Sequence, residues 1–231
     1  MATTVAGETL VQGILAANIQ VHEAMREDAE LIWGISRAAK MIGQALGRGN
    51  RLLIIGNGGS AADAQHLAAE FVGRYRIERR ALPAMALTAN TSSLTAIGND
   101  YGFEDVFTRQ VEAFAQAGDV LMCISTSGNS QNILRAALLA SALHVKTIGL
   151  TGAEGGKLPK CVDLCLRVPS AETPRIQEAQ RAKPGRPEKE SGDVWHATRS
   201  LMPGKVPHAS CLHPGGLGEG ERNLPEASVK C

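Results

Sequence analysis

Two kinds of apolar pattern alternate along the chain. Over residues 8–29 and 31–47 the apolar positions recur every three or four residues: Leu10, Ile14, Ala17, Val21 and Met25, then Ile32, Ile35, Ala38, Met41, Ile42 and Leu46. That spacing predicts two amphipathic helices, the second ended by Gly47 and Gly49. An unbroken apolar run follows at 52–55, bounded by Arg51 and Gly56, of the kind that a parallel sheet buries on both faces. The alternation then repeats. Helices are predicted over 60–71, from Thr91, over 103–114 and over 131–143; strands are predicted over 84–87, 120–124, 146–150 and 162–168. Strands and helices in that order predict an α/β protein, a three-layer sandwich around a mainly parallel sheet.

The pattern stops near residue 180. From Arg181 onward there are six of the ten prolines and seven glycines, and no apolar run exceeds two residues. Residues 1–180 therefore read as one folded domain and 181–231 as an irregular, disordered tail. Lys and Arg total 24 against 23 acidic residues, so nothing in the charge balance points to nucleic acid or an anionic membrane. The five cysteines, Cys123, Cys161, Cys165, Cys211 and Cys231, lack paired CxxC spacing, and neither a disulfide framework nor a cysteine zinc site is expected. Cys123 sits in an apolar strand and reads as a small core residue. No signal peptide and no membrane span is legible, so the expected location is the cytoplasm.

Two of the predicted strands run into Gly/Ser-rich turns that open helices: Gly56-Asn57-Gly58-Gly59-Ser60 and Ser125-Thr126-Ser127-Gly128-Asn129-Ser130. Such turns gather N–H groups, hydroxyls and the positive end of a helix around one anion. A phosphorylated small molecule is the expected ligand, and both turns lie at strand C-termini, where open α/β sheets bind ligands. The same hydroxyls also suit helix caps and turns, a role open to Ser127 or Asn129, although four hydroxyls in six residues exceed what capping needs. His66 and Glu70 stand four apart on the helix after the first turn. They share one of its faces, either as an imidazole ligand and a carboxylate base or as a solvated pair. Asn99-Asp100, between Gly98 and Tyr101-Gly102, reads as a turn. The charged residues Arg74, Arg76, Glu78, Arg79 and Arg80 either steer an anion or form a solvated surface.

Taken together, Gly56-Asn-Gly-Gly-Ser60, Asp63-Ala-Gln-His66, Glu70, Gly73-Arg-Tyr75, Ala96-Ile-Gly-Asn-Asp-Tyr-Gly-Phe103, Gly118-Asp-Val, Ser125-Thr-Ser-Gly-Asn-Ser130, Leu150-Thr-Gly152, Gly155-Gly156 and Arg175-Ile-Gln-Glu-Ala179 resemble the phosphoheptose isomerases of the sugar isomerase (SIS) domain family. The resemblance spans residues 8–179. It implies a flavodoxin-like or Rossmann-like SIS fold in a homotetramer with active sites at subunit contacts. It also implies interconversion of sedoheptulose 7-phosphate and D-glycero-D-manno-heptose 7-phosphate in heptose biosynthesis. By the same resemblance Ser125, Thr126, Ser127 and Ser130 would cradle the phosphate, and Asn57, Gly58, Gly59, Asn99, Asp100 and Gln177 would contact the sugar. Glu70 would be the catalytic carboxylate, and His66, Glu70 and Gln177 would be three of the four ligands of one zinc ion (Zn2+) per subunit.

The chain departs from that pattern at its end. The family's fourth ligand, a histidine that also serves as acid/base partner eight residues after the glutamine, is here Gly185; the histidine three after the glutamine is Gln180. Pro184, Gly185 and Pro187 each cost about 1–3 kcal/mol in a helix interior, so the last helix is expected to stop near residue 182. A weakened zinc site, impaired activity and a frame shift or fused segment beginning near codon 180 are the matching expectations. The alternative is a non-catalytic SIS module that binds a sugar phosphate or associates with a replication initiator.

Overall fold

A computed structural model describes residues 2–74 and 78–180, with side chains from residue 7 onward. The proposed tail 181–231, with Gly185, Cys211 and Cys231, and the residues Tyr75 and Arg76 lie outside the described residues. Two helices, α1 (Ala2–Glu27) and α2 (Ala29–Gly47), lead into β1 (Leu52–Gly56), α3 (Gly59–Val72) and β2 (Ala84–Ala86). Then come α4 (Thr91–Asp100), a 3-10 turn (Phe103–Asp105), α5 (Thr108–Phe114), β3 (Val120–Ile124) and α6 (Gln131–Ala142). The described chain closes with β4 (Lys146–Thr151), a second 3-10 turn (Leu158–Lys160), β5 (Leu164–Arg167) and α7 (Thr173–Gln180).

The five strands form one parallel sheet in the order β2-β1-β3-β4-β5. Leu52, Ile54, Val120, Met122, Ile124, Ile148 and Leu150 face α2 and α3, while Leu53, Ile55, Leu121 and Cys123 face α5 and α6. Both faces of the central strands are covered, which is why they read as unbroken apolar runs. Cys123 is a core residue as expected, and burial pushes its thiol up. The strand order reverses between β1 and β3, because β2 lies to one side and β4 and β5 to the other. The crevice beyond the ends of β1 and β3 is therefore the switch point where such sheets bind ligands. α3 and α6 pack on opposite faces and both begin at that crevice. No helix among the described residues is long and apolar enough to cross a membrane.

Three local expectations are corrected. The helix predicted over 103–114 is a 3-10 turn followed by α5, with the buried residues Val106 and Phe107 between them. Asn99 and Asp100 are the last residues of α4, whose first turn is capped by Asn90 Oδ1 accepting the Ser93 N–H at 3.0 Å. The last strand begins at Leu164 because the Asp163 side chain takes over the edge. Its carboxylate accepts the Thr147 N–H at 2.8 Å and the Thr147 hydroxyl at 3.0 Å. Burial pushes the Asp163 carboxyl up, but the Thr147 hydrogen bonds and the Lys146 charge outweigh it and hold the group below the ordinary aspartate value.

Candidate functional site

The first turn leaves β1 at Gly56 and enters α3 at Gly59, with the Ser60 N–H donating to Asn57 O at 3.0 Å. The Asn57 side chain points across the crevice. Its Nδ2 donates to Asn132 Oδ1 and its Oδ1 accepts from Asn132 Nδ2, both at 2.9 Å. Asn132 is in the first turn of α6, so this amide pair joins the two helix-opening turns.

The second turn is braced from behind. Thr126 O accepts the Gly152 N–H at 3.0 Å and the Thr151 hydroxyl at 3.3 Å; Gly128 O accepts the N–H groups of Lys157 and Leu158, both at 3.0 Å. Gly128 has φ +62°, and a Cβ there would strike the Gly155 carbonyl, so the loop closes this tightly only with glycine. The residue that caps α6 is Ser130, yet its hydroxyl makes no capping bond and lies 3.3 Å from Ser125 Oγ instead. Among the described residues the N–H groups of Thr126 and Ser127 have no partner. Two N–H groups, two facing hydroxyls and the start of a 12-residue helix form a cradle for an oxyanion.

Along α3, Gly59, His66 and Glu70 fall on one stripe, because steps of seven and four residues return to nearly the same face. The stripe runs down the helix from the crevice, with roughly 10 Å of axial rise from Gly59 to His66 and roughly 16 Å to Glu70. His66 Nε2 and Glu70 Oε1 are 3.5 Å apart and their side chains are 51 % and 31 % exposed, so the pair is open to a ligand. α7 lies against the head of the same stripe: a Cβ on Gly59 would come within 2.9 Å of the Gln177 carboxamide. α7 also reaches the second turn, where Ile176 packs on Gly152. It is held to α1 by the buried Arg175, whose guanidinium donates to Ile14 O at 2.9 Å and to Glu178 at 3.0 Å, while Asn18 donates to Glu178.

The structure thus gathers Asn57, Gly58, Gly59, Ser125, Thr126, Ser127, Ser130 and Gln177 around one crevice and sets His66 and Glu70 on the helix that leaves it. Asn99 and Asp100 are not brought there within one chain; Asn99 Nδ2 donates to Asp100 Oδ1 at 2.8 Å at the surface. Arg79 and Arg74 have structural work as well. Arg79 donates to the carbonyls of Glu70 and Phe71 at the end of α3, and Arg74 pairs with Glu78. Asn132 is absent from the sequence reading, and Arg175 enters it only as the first residue of a motif, with no role. Asn132 had a legible signal, a carboxamide in line with Ala136 and Ala140 on the buried face of α6.

The SIS domain family matches residues 17–152. A phosphoheptose isomerase of Geobacter sulfurreducens is 58% identical over 164 residues, covering 71% of this chain and 86% of that protein. One from Aliarcobacter butzleri is 57% identical, covering 69% of this chain and 81% of that protein. The solved structure of phosphoheptose isomerase from Neisseria gonorrhoeae superposes with a TM-score of 0.71 at 41% identity, over 84% of this chain and 97% of that one. On the family match, these identities and the shared five-stranded parallel architecture, the chain belongs to the phosphoheptose isomerase family of SIS-domain proteins.

Proposed function

We propose that the chain interconverts sedoheptulose 7-phosphate and D-glycero-D-manno-heptose 7-phosphate, in the cytoplasm and as a homotetramer, with Glu70 as base. The observation that carries this reading is the separation of the two ends of the site. The oxyanion cradle is at the switch point, and the carboxylate stands on the stripe that runs from it down α3. A substrate for such a site has its phosphate at the far end of the chain from its reacting carbons, as a 7-phosphate isomerised between C1 and C2 does.

The cradle of Ser125, Thr126, Ser127 and Ser130 would hold the phosphate through N–H groups, hydroxyls and the start of α6. Glu70 would take the proton from C1 of the ketose, and return of a proton at C2 gives the aldose. A second proton passes from O1 to O2, so the reaction balances without an oxidant or reductant. Two ligands about 2.0–2.1 Å from one tetrahedral zinc ion lie roughly 3.3 Å apart. The 3.5 Å between His66 Nε2 and Glu70 Oε1 matches that separation, while Gln177 meets α3 at Gly59, about 10 Å of helix rise nearer the crevice, and would have to approach to complete the set. Zinc held by His66, Glu70 and Gln177 would polarise the substrate oxygens. The exposed apolar stripe of α1, which includes Leu10, Val11, Leu15 and Ile19, supports self-association.

The test is turnover of sedoheptulose 7-phosphate by the purified chain with and without added zinc, beside Glu70→Gln. Turnover that disappears in the variant is the expected result. A parent that binds the sugar phosphate without turning it over would replace this reading with a non-catalytic binding module.

A further inference from the structure

Asn132 is 3 % exposed, and its carboxamide is committed on both sides. Nδ2 donates to Asn57 at 2.9 Å, and Oδ1 accepts from Asn57 at 2.9 Å and from the Ile133 N–H at 3.0 Å. Every other buried residue of α6 is apolar: Ile133, Leu134, Ala136, Ala137 and Ala140. Packing alone would be served by a leucine, which brings no buried donor or acceptor that must be matched. What the carboxamide adds is a tie. The β1–β3 ladder ends at the pair Gly56 and Ile124, and Asn57 is the first residue beyond it. Past that point the two turns diverge to helices on opposite faces of the sheet, and the reciprocal amide bonds join them across the crevice.

We infer that Asn132 is a positioning residue: through Asn57 it fixes the turn that starts α3 against the turn that starts α6. It thereby sets the span between the oxyanion cradle and Glu70. The inference rests on the reading given under Proposed function. A sugar phosphate must fit both ends of that span at once, whereas inorganic phosphate needs only the cradle.

The experiment compares Asn132→Asp, Asn132→Leu, Asn57→Ala, Asn132→Ala and the double variant Asn57→Ala/Asn132→Ala with the parent, in the full chain with zinc added. Asn132→Asp keeps the shape and both acceptor roles but sets an oxygen against Asn57 Oδ1. Asn132→Leu keeps a filled core and guards against a variant that fails to fold, which circular dichroism checks. In the folded variants kcat with sedoheptulose 7-phosphate is expected to fall about 10- to 100-fold, since a misplacement of about 1 Å is costly at a reacting centre. Affinity for inorganic phosphate is expected to stay within about twofold, and the double variant to lose no more than the worse single one, as partners in one pair do. A folded variant with parental kcat and KM overturns the inference, and so does one that loses inorganic phosphate as steeply as sugar phosphate. If the parent binds the sugar phosphate without turnover, the isomerase reading falls by itself. The tie is then read from the ratio of sugar phosphate to inorganic phosphate affinity, which the variants must lower about tenfold. A parent that binds neither ligand overturns both.

Discussion

The cradle and the helix that carries Gln177 sit side by side, yet they are held in different ways. The 125–130 turn grows out of a strand buried on both faces and is braced by backbone N–H groups of Gly152, Lys157 and Leu158. α7 instead rests on side chains: Arg175 to the Ile14 carbonyl and Glu178, Asn18 to Glu178, and a small apolar cluster of Val168, Ile176 and Ala179. The first half depends on the path of the main chain, to which most substitutions are neutral. The second depends on a few side chains, Arg175 the most buried of the polar ones. In a site built this way the proposed cradle is set by the main chain, and the placement of Gln177 is the part most exposed to mutation.

The largest expected effect removes the chemistry and leaves both halves standing. On the proposed isomerase reading, Glu70→Gln should lower kcat by about 10²–10⁴-fold with an unchanged melting temperature, since general bases contribute on that scale. Gly128→Ala attacks the backbone-held half. The new Cβ meets the Gly155 carbonyl at a left-handed backbone position, so thermal unfolding should show a loss of about 1–3 kcal/mol or more together with weakened phosphate binding. Arg175→Met attacks the side-chain-held half. Its charged hydrogen bonds are worth about 1.5–3 kcal/mol, and on the proposed zinc site isothermal titration should show zinc affinity falling while inorganic phosphate affinity stays at the parental value. Equal losses of zinc and phosphate would show that the two halves are one unit.

The smallest effect concerns the sheet edge, away from both halves. Asp163→Asn should cost under about 1 kcal/mol at neutral pH, because the carboxylate is partly exposed and its ion pair with Lys146 is at the surface. The folded state holds the Asp163 carboxyl below its ordinary value. Its contribution is therefore present above the unfolded aspartate value and lost as pH falls through the lowered folded one. Melting curves of parent and variant should differ at pH 7 and converge toward the acid end of the scale.

How much of this was legible follows from what each residue responds to. Strand residues such as Leu53, Ile54 and Ile55 are buried whatever lies beyond their neighbours, so an apolar run announces them. The Gly/Ser turns are legible because glycine and hydroxyl residues are needed locally, and the His66–Glu70 stripe because four residues nearly complete a turn of one helix. The 3-10 turn at Phe103–Asp105 was not legible, since the apolar spacing over 103–114 is the same for one helix as for a turn and a helix that pack on one core. Ser130 stands at the helix start without capping it, and its hydroxyl faces Ser125 within the turn that the resemblance assigns to the phosphate.

Periodicity and turn chemistry record what a segment needs within its own ten or twenty residues, and they sufficed for the α/β architecture, the two turns and the acid–imidazole pair. The sheet order β2-β1-β3-β4-β5 put Asn57 against Asn132, 75 positions away, and the packing of α7 on α1 put Arg175 against Ile14, 161 positions away. Those contacts belong to the tertiary structure, because a hydrogen bond between distant segments depends on where two chain paths cross, and no spacing within either segment encodes that crossing.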